Sequence, residues 1–162
     1  MITPYRIGYG FDLHRWENGR RLVLGGVEIP HEQGLLGHSD ADALTHAVID
    51  ALLGALALGD IGQHFPDTDP RYKDADSMEM LRTIMALVGN KGFQVGNVDS
   101  TIVTDAPKMA PHLLKIRRSL AKDLLVTEDD VSVKATRTEG VIFPVTNGLL
   151  AMAQVLLIRR SI

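Results

Sequence analysis

One stretch limits the folds open to this chain: His38-Ser39-Asp40-Ala41-Asp42-Ala43-Leu44-Thr45-His46-Ala47-Val48-Ile49-Asp50, which runs on through Ala- and Leu-rich sequence to Ala57. Ser39, with Asp42 three residues on, forms a capping-box variant and predicts that a helix starts there. At about 3.6 residues per turn, Leu44, Ala47, Val48, Ala51, Leu52 and Ala55 make one apolar stripe, and His38, Asp42, His46 and Asp50 recur on the opposite face. The stripe needs a second layer to lie against. The other face carries groups that bind metals or handle protons, where a surface helix would carry Lys and Glu.

The layer comes from segments that alternate. Tyr5-Arg6-Ile7-Gly8-Tyr9-Gly10-Phe11-Asp12-Leu13-His14 predicts a strand whose glycines permit close backbone approach and whose Asp12 and His14 share a face. Leu22 to Ile29 reads as a hairpin around Gly25-Gly26, and His31 to Gly37 as a loop. Beyond the first helix, which gives out near Gly59, Asp60 to Pro70 is a polar turn region. A second helix fits Ser77 to Val88, a strand Phe93 to Val103 and a third helix Pro111 to Leu125. After a turn at Thr127-Glu128-Asp129-Asp130 come strands at Val131–Thr136 and Leu149–Ile158, the last apolar on both faces except at Gln154. The order predicts an α+β fold (an α/β sandwich), a mixed sheet of four to five strands with helices packed on one face, in a single domain over residues 1–162.

Composition removes several classes of function. With 17 basic against 20 acidic residues, the net charge of −3 leaves no electrostatic footprint for nucleic acid. Apolar runs break well short of the ~18 residues of a membrane span, and the strand pattern begins too early to leave room for a signal peptide. A cytoplasmic location is expected, with a plastid-type organelle as the other compartment. No cysteine is present, so a metal would have to use His and carboxylates. Walker, Gly-x-Ser-x-Gly and dinucleotide-binding patterns are missing as well, which favours metal-assisted chemistry over a protein nucleophile.

Asp12 and His14 on one strand face, with His46 on a helix, supply three N/O ligands and leave a fourth position open, as catalytic zinc requires. Asp42 or Asp50 could orient the His46 ring. The plain alternative is a strand-edge hydrogen bond and a solvated histidine. His38 and Ser39 precede the helix, where an anion is favoured, or Ser39 merely caps. Asp60 and Asp67-Thr68-Asp69 could bind hydroxyls, or serve only the turn. Lys108, in the stiff Ala106-Pro107-Lys108-Met109 loop, could meet a phosphate. Lys134 to Glu139 offers hydroxyls, a cation and a carboxylate suited to phosphate with a hard metal, or simply a solvated strand end.

Taken in order, the motifs resemble the 2-C-methyl-D-erythritol 2,4-cyclodiphosphate synthase family of non-mevalonate isoprenoid biosynthesis. The matching runs are Arg6-Ile7-Gly8-x-Gly10-Phe11-Asp12-x-His14, Gly34-Leu35-Leu36-x-His38-Ser39-Asp40-x-Asp42, Asp50–Gly54, Leu58–Gly62, Phe65–Pro70, Asn97–Asp99, Ala106–Met109 and Val133–Thr136. The resemblance implies a homotrimer with active sites between subunits. It implies a metal-dependent lyase that cyclises 4-diphosphocytidyl-2-C-methyl-D-erythritol 2-phosphate and releases CMP. The substrate's own 2-phosphate is the nucleophile, so the protein has to hold two phosphoryl groups together and neutralise their charge.

Carried over by position, Asp12, His14 and His46 match ligands of Zn²⁺ or another divalent transition metal, and Glu139 a ligand of Mg²⁺ or Mn²⁺ on the diphosphate. His38 matches the transition-state stabiliser and Ser39 a phosphate contact. Asp60, Ile61, Gly62, Phe65, Pro66, Asp67, Thr68 and Asp69 match the erythritol region. Thr104, Asp105, Ala106, Pro107, Lys108, Met109 and Ala110 match the cytidine loop. Ala135, Thr136, Thr138 and Phe143 complete the substrate contacts.

The chain departs from the family where Arg137 stands for a Thr linked with transition-state stabilisation, Thr146 and Gly148 for an Arg and a Glu, and Tyr9 for a His. Arg137 is expected to regain near the diphosphate the cation lost at Thr146, which makes it a candidate catalytic residue. The altered Ile142–Leu149 run removes the basis for expecting isoprenoid diphosphates on the trimer axis. Two further readings stand beside synthesis: an impaired trimer that binds cytidine nucleotides or pathway enzymes, and a metal-dependent phosphohydrolase.

Overall fold

A computed structural model describes residues 3–141 and 147–160. Its principal sheet is mixed, with strand order β4-β1-β7-β5-β6, where β1 is Tyr5–Asn18, β4 Gln33–Leu35, β5 Phe93–Val103, β6 Val131–Thr136 and β7 Gly148–Arg159. β1, β7 and β5 pair antiparallel, and β5 with β6 is parallel. A separate ribbon joins β2 (Leu22–Leu24) to β3 (Val27–Ile29) through Gly25 and Gly26, both at positive φ as a two-residue hairpin turn demands. The helices are α1 (Ala43–Ala55), α2 (Ile61–His64), α3 (Ser77–Asn90) and α4 (Leu113–Leu124).

α1 lies directly on β1. Gly8 and Gly10 face the helix, and a Cβ on either would overlap the Ala51 or the Ala47 carbonyl. This is the close approach that the alternating glycines predicted, and it brings the inward residues of β1 against one side of the helix. The core forms between this sheet face and α1, α3 and α4, with Leu44, Leu52, Leu81, Ile84, Ile102, Ile116 and Leu120 fully enclosed.

The structure corrects the sequence reading at several points. α1 begins at Ala43, not near His38, and its N-cap is Asp42, whose carboxylate accepts from the Thr45 N–H. Ser39 is therefore not the cap, and His38 and Asp42 lie before the helix rather than on its face. α1 is buried nearly all round and not along one stripe alone. The loop expected at His31–Gly37 contains β4, an edge strand paired with Trp16–Asn18. The Asp60–Pro70 region includes α2, capped by Asp60, and a 3₁₀ turn at Pro70–Tyr72. Gly96 interrupts β5 as a bulge in its register with β7.

Candidate functional site

β1 and α1 bring the Asp12, His14 and His46 ligand atoms within 4.8 Å of one another, the one such group of three among the described residues. Asp12 Oδ2 lies 2.9 Å from His14 Nε2 and 3.0 Å from His46 Nδ1. Burial alone would raise the Asp12 pKa, but hydrogen bonds to His14 and His46, and then their charges, hold it well below the carboxylate range. For His14, burial opposes the charged form and the Asp12 carboxylate outweighs it, so its pKa is raised.

The outer faces of both rings are also engaged. His14 Nδ1 lies 2.6 Å from the Leu36 carbonyl. A carbonyl only accepts, so Nδ1 donates to it, and Nε2, beside Asp12, is the nitrogen a metal would take in place of its proton. His46 Nε2 lies 2.8 Å from Ser77 Oγ and 3.3 Å from Ser39 Oγ. Two imidazoles, each held from behind, and a carboxylate fit a divalent metal of the zinc type.

These residues open into a cleft of about 480 Å³ that also takes in His38, Ser39, Ile61, Gly62, Phe65, Pro66 and Asp67, as the sequence predicted. Gly37, Tyr72 and Met80 line it too and had gone unremarked. His38 is exposed, 3.4 Å from the Asp69 carbonyl. Asp60, Thr68 and Asp69 do not line the cleft. Asp60 caps α2 and Asp69 caps the 3₁₀ turn and pairs with Arg71. Asp42 does not orient His46 either: it accepts from Gly25 N, Gly26 N and both Thr45 donors. Asp50 accepts from Ile61 N at 2.7 Å and so ties α2 to α1.

A second cleft, of about 450 Å³, gathers Thr104, Asp105, Pro107, Lys108, Met109, Ala110, Leu113, Ala135 and Arg137. Ala106 supports it from behind, because its carbonyl accepts from the Thr104 hydroxyl. Thr138 is buried and gives its N–H and hydroxyl to Asp105, at 2.9 and 2.6 Å, so these two residues are spent on each other. Thr136 and Glu139 are exposed nearby, Glu139 at a φ of 53°. Phe143 and Thr146 lie outside the described residues. Ser77 and Asp40 were missed as site residues, since in sequence they look like ordinary helix-start residues.

Fold and geometry define a mixed-sheet α+β protein with a group able to hold a divalent metal in an open cleft. The YgbB family profile matches residues 5–158. The 2-C-methyl-D-erythritol 2,4-cyclodiphosphate synthase of Geobacter sulfurreducens is 60% identical over 153 residues, which cover 94% of this chain and 98% of that protein. A synthase structure of the same name with CDP bound superimposes with a TM-score of 0.87 at 42% identity, covering 94% of this chain and 99% of the other. A Plasmodium falciparum CDP complex gives a TM-score of 0.83 at 32% identity, covering 99% and 100%. The chain belongs to the YgbB family of 2-C-methyl-D-erythritol 2,4-cyclodiphosphate synthases. Among the described residues no helix is long and apolar enough to cross a membrane.

Proposed function

We propose that this chain cyclises 4-diphosphocytidyl-2-C-methyl-D-erythritol 2-phosphate to 2-C-methyl-D-erythritol 2,4-cyclodiphosphate. A 2-phosphate oxygen bonds to the β-phosphorus, the bond from that phosphorus to the α–β bridging oxygen breaks, and CMP leaves with the electron pair. The observation that carries this reading is the convergence of Asp12, His14 and His46 on one point of an open cleft, in a chain 60% identical to a named synthase. Asp12, His14 and His46 would hold Zn²⁺, and Glu139 would hold Mg²⁺ or Mn²⁺. Such ions, when bound, neutralise phosphate charge and polarise phosphoryl oxygens.

The chain's own groups do the positioning. His38, exposed at the cleft mouth, would face the transferring phosphoryl group, with Ser39 beside it. The Ile61–Asp67 wall receives the erythritol. The Thr104–Ala110 loop takes the cytidine, with Lys108 and Arg137 supplying positive charge and Ala135 and Thr136 at the strand end.

The two clefts belong to two halves of one site, completed across subunits of a homotrimer. Support comes from the outward face of β1, where Tyr5, Ile7, Tyr9, Phe11 and Leu13 stand exposed, Ile7 to 77%. Residues 1–162 work as one unit, in the cytoplasm. Incubation with the diphosphocytidyl substrate, Zn²⁺ and Mg²⁺, followed by ³¹P NMR, should give CMP and the cyclic diphosphate. CMP with linear products would instead mark a hydrolase, and neither product a nucleotide-binding protein. The Arg137→Thr chain should turn over more slowly, and an unchanged rate would remove Arg137 from the site.

A further inference from the structure

The ligand His46 is backed by the first residue of α3 and by the segment that precedes α1. Ser77, the first residue of α3 and fully buried, places Oγ 2.8 Å from His46 Nε2. Asp40 grips Ser77 twice: one carboxylate oxygen accepts from the Ser77 N–H at 3.1 Å and the other from the Ser77 hydroxyl. A carboxylate only accepts, so the hydroxyl proton is committed to Asp40 and Ser77 Oγ must act as the acceptor toward His46. Nε2 of His46 then donates to Ser77, which leaves Nδ1, beside Asp12 at 3.0 Å, as the nitrogen a metal would take.

We infer that Asp40 and Ser77 are positioning residues that fix the tautomer and ring orientation of His46 for metal binding, Asp40 acting through Ser77. The arrangement extends the carboxylate–histidine–metal pattern by one hydroxyl. Ser39 Oγ, at 3.3 Å, is the weaker of the two hydroxyls on Nε2, and it already accepts from the Ala41 N–H. Asp40 is itself held by the Ala75 carbonyl, which accepts from its N–H at 3.1 Å, and by the Asp42 N–H, which donates to its carboxylate at 3.2 Å. The brace therefore joins the segment before α1 to the start of α3, behind the ligand.

The inference rests on the metal site itself, and one titration separates the two. Zn²⁺ affinity is measured by competition with a chromogenic chelator for the wild-type, Asp12→Asn, Ser77→Ala, Asp40→Asn and doubly substituted Ser77→Ala/Asp40→Asn chains, with folding checked by circular dichroism. Ser77→Ala should weaken binding by about ten- to a hundredfold. Asp40→Asn should weaken it less, and the double variant no more than Ser77→Ala alone. Affinity within about twofold of wild type for both single variants, or additive losses in the double variant, would overturn the brace. Equal affinity for the wild-type and Asp12→Asn chains would instead overturn the metal site.

Discussion

Asp42 shows how one side chain can be mistaken for its neighbour's helper. Its carboxylate is wholly buried and takes four donors, from the hairpin turn at Gly25-Gly26 and from Thr45. Burial pushes its pKa up, against those hydrogen bonds. Asn at this position would aim an NH₂ group at backbone N–H groups. Asp42→Asn should therefore cost about 3 kcal/mol, at the upper end for hydrogen bonds to a charged group, read as a lower urea midpoint. His14 carries a prediction of opposite kind. Its raised pKa means that its folded-state charge stabilises the metal-free chain fully below its unfolded value near 6.5, and that this is lost as pH rises through the folded value. Zn²⁺ needs the neutral ring, so affinity should fall as pH drops through that same raised value, with about one proton released per ion. Chelator competition at stepped pH measures it. Strand alternation and residue chemistry made Asp12, His14 and His46 candidates in sequence, beside a plain hydrogen-bond alternative, and the family resemblance chose between the two. Ser77 and Asp40 were not legible there, because what assigns them is a contact between segments some 37 positions apart.

At the scale of elements, the strands were read well wherever a period-two pattern met a turn signal. β5 and β6 lie at the predicted limits, and β2 and β3 meet at Gly25-Gly26 as expected. The start of α1 was misread because Ser39, Asp40 and Asp42 are all competent caps, and the tertiary demand of the Gly25-Gly26 turn decides among them. Short pieces such as β4 and α2 carry too few residues to show a period and owe their form to pairing with β1 and to the Asp60 cap. The seat of α1 on Gly8 and Gly10 gives a direct test. Gly10→Ala should force helix and strand apart and cost about 3 kcal/mol, as overpacking a tight core does. It should also weaken Zn²⁺ binding, because Asp12 and His46 sit on opposite sides of that seam. A thermal melt with a parallel metal titration reads both effects.

At the scale of the whole molecule, the outward face of β1 continues across β7 through Met152, Leu156 and Ile158, all half-buried. A chain carrying Ile7→Asp should sediment as a monomer and lose turnover while keeping its Zn²⁺ affinity, since the three ligands come from one chain. Retained trimer mass would show that the face does not hold the assembly.

β1 has one further consequence. Phe11 and Leu13 point outward, and Asp12 and His14 point inward between them. The exposed apolar face and the candidate metal group are thus interleaved on one backbone, odd positions for one and even positions for the other. A single inserted or deleted residue ahead of Asp12 would exchange the two sides, turning Asp12 and His14 outward and the apolar side chains toward α1. Unless a bulge like that at Gly96 absorbs it, a length change here alters which side of the strand each group faces, so the parity of β1 matters as much as its side chains.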